Sequence, residues 1–106
     1  MDMKDITVEE LKKRKEAGDA PILIDVREPN EREAFHIGGE LIPLGTLATG
    51  LKKFEDRKDE EIVVYCRSGA RSGRARNMML GAGFSRVRNL EGGVLAWIDA
   101  FGTEGD

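Results

Sequence analysis

The chain has 106 residues, a formal net charge of -3, 40% hydrophobic residues and a single cysteine. That length and apolar content fit one domain (1–106, core about 6–101) and leave little room for a separate cofactor domain. One cysteine excludes an intramolecular disulfide, a CxxC redox pair and a multi-cysteine zinc site, and a net acidic chain gives no general case for nucleic acid.

Ile6 starts a short first strand or edge segment. Thr7-Val8-Glu9-Glu10 has capping-box spacing, with the Thr7 hydroxyl taking a first-turn amide while Glu10 reaches back. A polar helix with Val8 and Leu11 inward follows to about Ala17, and Gly18 ends it. Ala20 to Val26 reads as a second, buried strand, closed by Arg27-Glu28-Pro29. Pro29 suits the first turn of a short helix from Asn30 to about Phe35. His36 to Gly39 is a loop, and Leu41 to Leu44 is a short extended piece whose proline places it at an edge. Thr46 to about Phe54 is a helix with Leu47, Leu51 and Phe54 inward, weakened by Gly50. Asp56 to Glu61 is a charged surface loop.

The next stretch organises the chain. Ile62 to Tyr65 is too short for a helix and rich in Val and Ile, so it reads as a buried central strand. It runs into Cys66 and the loop Arg67-Ser68-Gly69-Ala70-Arg71. Ser72 is the expected N-cap of a helix whose inward face is Ala75, Met78, Met79 and Ala82. Gly83 closes that helix, Arg86 to Leu90 alternates like a strand, and Glu91-Gly92-Gly93 turns. Val94 to Phe101, with Trp97 and Phe101, is the last helix, and Gly102 to Asp106 is a frayed tail. Alternation of strand and helix predicts an α/β fold: a small, mainly parallel five-stranded sheet with helices on both faces. No apolar stretch approaches the roughly 18 residues of a membrane span and no signal-peptide core precedes Ile6, so a reduced, cytoplasmic setting is expected.

A cysteine at the carboxyl end of a central strand and under a helix N-terminus sits where open α/β sheets place ligands. Cations and helix N-termini lower a thiol pKa. Arg67 and Arg71 flank the loop, no Asp or Glu occurs between Ile62 and Leu90, and the amides of Arg67 to Ser72 can form an anion-binding nest. The stretch also carries Arg74, Arg76, Arg86 and Arg88, a basic patch suited to a small anion or an acidic surface. A solvated helix face accounts equally well for Arg74 and Arg76.

These residues resemble a single-domain rhodanese, a sulfurtransferase fold, from Ile6 to about Trp97. The motifs are Ile24-Asp25-Val26-Arg27-Glu28, His36-Ile37, Ile42-Pro43-Leu44, Asn89-Leu90-Glu91-Gly92-Gly93 and Ala96-Trp97. The most specific is Val64-Tyr65-Cys66-Arg67-Ser68-Gly69-Ala70-Arg71-Ser72. Arg32 and Phe35 stand where many members have an aromatic residue and a glycine, and the 38–42 stretch is one residue shorter; these departures fall on the rim.

The resemblance implies Cys66 as the residue that becomes a persulfide. Arg67, Ser68, Gly69, Ala70, Arg71 and Ser72 are then the active-site loop, its arginines binding a thiosulfate-like anion. Asp25 and Arg27 are read as a supporting charge pair that braces the loop. His36, the sole histidine, offers a Cys–His pair, but the resemblance makes it a structural loop residue. The expected partners are a small anionic sulfur donor, thiosulfate or polysulfide, and a thiophilic acceptor, with no metal or organic cofactor. A monomer is the simpler expectation. Two alternatives stand: a persulfide relay module serving a partner protein, and a Cys-dependent phosphatase or arsenate reductase. The latter enzymes place five residues between Cys and Arg, against four between Cys66 and Arg71.

Overall fold

The computed structural model describes residues 3–103. Its helices are α1 (Val8–Glu16), α2 (Pro29–Ala34), α3 (Leu47–Gly50), α4 (Ala70–Gly81) and α5 (Gly93–Phe101). Its strands are β1 (Ile22–Asp25), β2 (Glu40–Leu41), β3 (Ile62–Tyr65) and β4 (Val87–Asn89). The sheet has four parallel strands in the order β2-β1-β3-β4. Among the described residues the expected fifth strand is absent. Ile6 makes a single parallel bridge to Leu90, and the next residue, Thr7, already caps α1, so the segment has no length left to pair.

Period-two alternation in β3 builds both cores. Ile62, Val64 and Cys66 face one side, with Ala75 and Met79 of α4 and Leu47, Leu51 and Phe54 from the connection. Val63 and Tyr65 face the other, with Val8 and Leu11 of α1 and Val94 and Trp97 of α5. Helices therefore cover both faces, as the α/β alternation requires. The chain turns from β2 back across β1 to β3, so the topological switch lies between β1 and β3, and Cys66 follows directly at their carboxyl ends. Among the described residues, no helix is long and apolar enough to cross a membrane.

Local expectations are corrected in four places. The Thr7 hydroxyl does accept from the Glu10 amide at 3.1 Å, but the Glu10 carboxylate turns to Arg88 instead of reaching back. The complete capping box is at α2, between Glu28 and Glu31. The single helix expected over 46–54 is three pieces, a 3-10 turn at Leu44–Thr46, α3, and a 3-10 stretch at Leu51–Arg57 that kinks at Phe54. Ser72 is not the N-cap of α4; Gly69 is, at φ +105°. Met78 is 48% exposed, because α4 presents Ser72, Ala75 and Met79 to the sheet and Met78 lies roughly 100° round the helix from the centre of that face. The loose tail expected from Gly102 falls, beyond residue 103, outside the described residues.

Candidate active site

The site is built where two helix N-termini meet the end of β3. Alternation turns the Cys66 side chain to the α4 face, and the loop then winds 67–69 so that amides point back at the sulfur. Gly69 N–H donates to Cys66 Sγ at 3.1 Å, Ser72 N–H at 3.4 Å, and Ser72 Oγ lies 3.3 Å from the same sulfur. The left-handed backbone at Gly69 makes this reversal, a conformation that glycine adopts without strain.

On the opposite side, α5 holds the loop by its carbonyls. Val94 N–H donates to Cys66 O at 2.9 Å and Leu95 N–H to Arg67 O at 3.0 Å, which also satisfies two first-turn amides of α5. This contact requires Gly93, because a Cβ there would collide with the Cys66 and Arg67 carbonyl oxygens. The Gly92-Gly93 turn is thus a backbone clamp under the loop.

Cys66 is 1% exposed. Burial pushes its thiol up, but the Ser72 hydroxyl and the amides of Ser72, Gly69 and Ser68 outweigh that and hold it below the ordinary value. Hydrogen bonds aimed at sulfur supply this lowering, three of them from amides of the 67–72 stretch that the sequence marks as an anion-binding nest beside its arginines.

The arginines divide by role. Arg71 forms a two-pronged ion pair with Glu31 of α2, at 2.7 and 2.8 Å, so it latches α4 to α2 instead of standing free for an anion. The pair holds the Glu31 carboxyl down at about 2. Arg76 pairs with Asp5, and Arg88 with Glu10 and Glu61, which removes half of the basic patch read from sequence. Arg67 is exposed, has no ion-pair partner among the described residues, and borders a cleft of about 220 Å³ with Phe35, Val94 and Leu95.

Asp25 and Arg27 form the expected pair, both buried, with Nε–Oδ1 and Nη2–Oδ2 distances of 2.9 Å. Their remaining bonds do not reach the Cys66 loop. Arg27 Nη2 donates to Phe35 O at 2.7 Å, and Arg32 reaches Asp25 Oδ2 at 3.4 Å, so the pair braces the segment after α2. Arg27 touches the site only by lining the Arg67 cleft and stacking 5.6 Å from the Tyr65 ring. His36 Nδ1 accepts from Gly38 N–H at 3.0 Å within its own loop.

Sequence reasoning missed Glu31 and Asn89. Asn89 Nδ2 donates to Gly69 O at 3.0 Å and its Oδ1 lies 2.5 Å from Ser72 Oγ. Asn89 belongs to the Asn89-Leu90-Glu91-Gly92-Gly93 motif, and its place at the end of the strand beside β3 is the signal that marks it. No group of His, Cys, Asp and Glu among the described residues could hold a metal ion.

Known proteins supply the context. A family model for the rhodanese-like domain matches residues 7–100. The chain is 39% identical over 93 residues to a probable adenylyltransferase/sulfurtransferase, MoeZ, of Mycobacterium tuberculosis, covering 87% of this chain and 24% of that protein. It therefore spans about a quarter of the length of that relative. A sulfurtransferase of Allochromatium vinosum is 35% identical, over 88% of this chain and 86% of that one. Among solved structures, SSP1007 of Staphylococcus saprophyticus superposes with a TM-score of 0.80, at 33% identity and over 97% of each chain.

Proposed function

Because the chain belongs to the rhodanese-like domain family, we propose that it is a thiosulfate:acceptor sulfurtransferase carrying sulfane sulfur as a persulfide on Cys66. The observation that carries this reading is the set of donors aimed at Cys66 Sγ from Gly69 N–H, Ser72 N–H and Ser72 Oγ. Such donors favour an anion on sulfur, and the two amides are fixed before the reaction begins.

In the first step the Cys66 thiolate attacks the sulfane sulfur of thiosulfate. A new S–S bond forms, the S–S bond of thiosulfate breaks, and sulfite leaves with the bonding pair, giving a Cys66 persulfide anion. In the second, a thiophile attacks the outer sulfur and the Cys66 thiolate departs; cyanide yields thiocyanate, and a thiol yields a new persulfide. The N-terminus of α4 favours negative charge in both steps. Donor and acceptor approach along the cleft beside Arg67, whose guanidinium attracts the anion.

The test is intact-protein mass measurement before and after thiosulfate, without reductant. Gain of one sulfur atom that cyanide removes, and that Cys66→Ser never acquires, supports the reading. Gain from a protein persulfide but not from thiosulfate would make the chain a relay module. No gain from any donor, with turnover of an aryl phosphate, would return it to the oxyanion enzymes.

A further inference from the structure

The Ser72 hydroxyl stands between two acceptors, Cys66 Sγ at 3.3 Å and Asn89 Oδ1 at 2.5 Å. A serine hydroxyl has one proton to give, so it cannot serve both fully. The orientation of Asn89 is fixed, since its Nδ2 donates to the Gly69 carbonyl, which only accepts. Its backbone is fixed as well: Asn89 N–H donates to Asp5 Oδ1 at 3.0 Å, and Arg76 Nη1 donates to that oxygen at 2.6 Å. Ser72 is wholly buried and Cys66 nearly so, which keeps bulk water from replacing either partner.

We propose that Ser72 and Asn89 form a hydrogen-bond switch that follows charge on the Cys66 sulfur, with Asn89 as a positioning residue acting through Ser72. When sulfur is a thiol, the Ser72 hydroxyl donates to Asn89 Oδ1 and its oxygen accepts the weak S–H bond. When sulfur is a thiolate, the hydroxyl rotates to Sγ and joins the amides of Gly69 and Ser72. In the persulfide, a state that rests on the sulfur-transfer reading, the inner sulfur is neutral and the charge sits on the outer one. The hydroxyl then returns to Asn89. The proton stays on Oγ throughout.

Asn89 therefore competes with the thiolate for one donor. That competition keeps the thiolate from being over-stabilised, and nucleophilicity falls as thiol pKa falls. It also leaves the hydroxyl ready to turn back to Sγ as the inner sulfur departs as thiolate in the second step.

The test is a thiolate titration by ultraviolet absorbance, with no sulfur donor present, on Ser72→Ala, Asn89→Ala and the double variant. Ser72→Ala raises the midpoint by about one pH unit or more, as loss of a hydrogen bond to a charged group implies. Asn89→Ala lowers the midpoint when Ser72 is present and leaves it unchanged when residue 72 is alanine. Equal shifts in both backgrounds, or none with Ser72→Ala, overturn the switch. Should Asn89→Ala fail to fold, the Asn89 side-chain carbonyl carbon resonance in the unaltered protein replaces it. That resonance moves with the thiol titration, and a static one overturns the proposal. Because no donor is needed, a protein that never gains sulfur would refute the transfer reading while leaving these outcomes readable.

Discussion

The Cys66 thiol is held below its ordinary pKa by hydrogens that point at it from Ser72, Gly69 and Ser68. Gly69 N–H and Ser72 N–H are at 3.1 and 3.4 Å, whereas Arg71 of the loop is committed to Glu31. Short-range hydrogen bonds are little screened by salt, while a guanidinium acting on a free anion in solvent is screened strongly. Raising the salt concentration should therefore leave the Cys66 titration midpoint nearly unmoved and raise the KM for thiosulfate. Arg67→Ala should raise that KM by about 10-fold, the lower end of what a lost charge-assisted bond implies, while leaving kcat nearly intact. Steady-state kinetics at two salt concentrations check both; a fall in kcat with KM unchanged would remove Arg67 from substrate binding. The sequence made the cysteine and its loop legible because strand, glycine turn and helix are contiguous. It hid the division among the arginines, because Arg71 meets Glu31 across 40 residues of chain.

Between elements, the site depends on α2, α4 and α5 being locked together. Glu31 does this twice, accepting from the Glu28 amide to cap α2 and from Arg71 to hold α4. Its carboxyl is held at about 2 in the folded protein against an ordinary 4.5. A depressed folded pKa gives stability that is present above the ordinary value and lost as pH falls toward the folded one. Relative to Glu31→Gln, the parent chain should be more stable by about 1–2 kcal/mol at neutral pH, after solvent screening of a partly exposed pair. That margin should shrink from about pH 4.5 and vanish near pH 2, as urea unfolding at several pH values would show. Gly93→Ala acts on the other clamp. It should cost about 2–3 kcal/mol through the strained positive φ and the clash with two loop carbonyls, and should also slow alkylation of Cys66. Unaltered alkylation in a folded Gly93→Ala protein would show that α5 does not shape the loop. Helix periodicity revealed α4 but misassigned its start and Met78. The burial of a short helix is decided by which face meets the sheet, and Ser72 takes a buried position there that a pattern of apolar residues does not mark.

Across the whole molecule, Cys66 and a second ion-pair network sit at opposite ends of one strand. Cys66 follows the last residue of β3, whereas Glu61 precedes the first, roughly 16 Å away at about 3.3 Å per residue. At the Glu61 end, Arg14 and Arg88 both donate to Glu61 Oε2, at 2.7 and 2.9 Å, and Arg88 continues to Glu10 of α1 and to Lys4 O. This network ties α1 to the sheet in addition to the single bridge from Ile6 to Leu90, so it does by charge part of what a fifth strand would have done by pairing. The network is not legible in sequence, since Glu10 reads as a capping residue, Arg88 as part of a basic patch and Glu61 as part of a surface loop, and their meeting spans up to 78 residues of chain. Removing the shared carboxylate leaves two guanidinium groups short of a partner while only a tenth to a quarter of their side chains is exposed. Glu61→Gln should therefore cost about 2 kcal/mol, less than for a fully buried pair, and lower Tm by roughly 10 °C. The Cys66 titration midpoint and the mass gain with thiosulfate should stay as in the parent below that lower Tm. Thermal unfolding and thiol titration of the same preparation check both halves. A shifted midpoint in folded Glu61→Gln would mean that the ion network reaches the loop through β3, and the two ends of the strand would no longer count as independent.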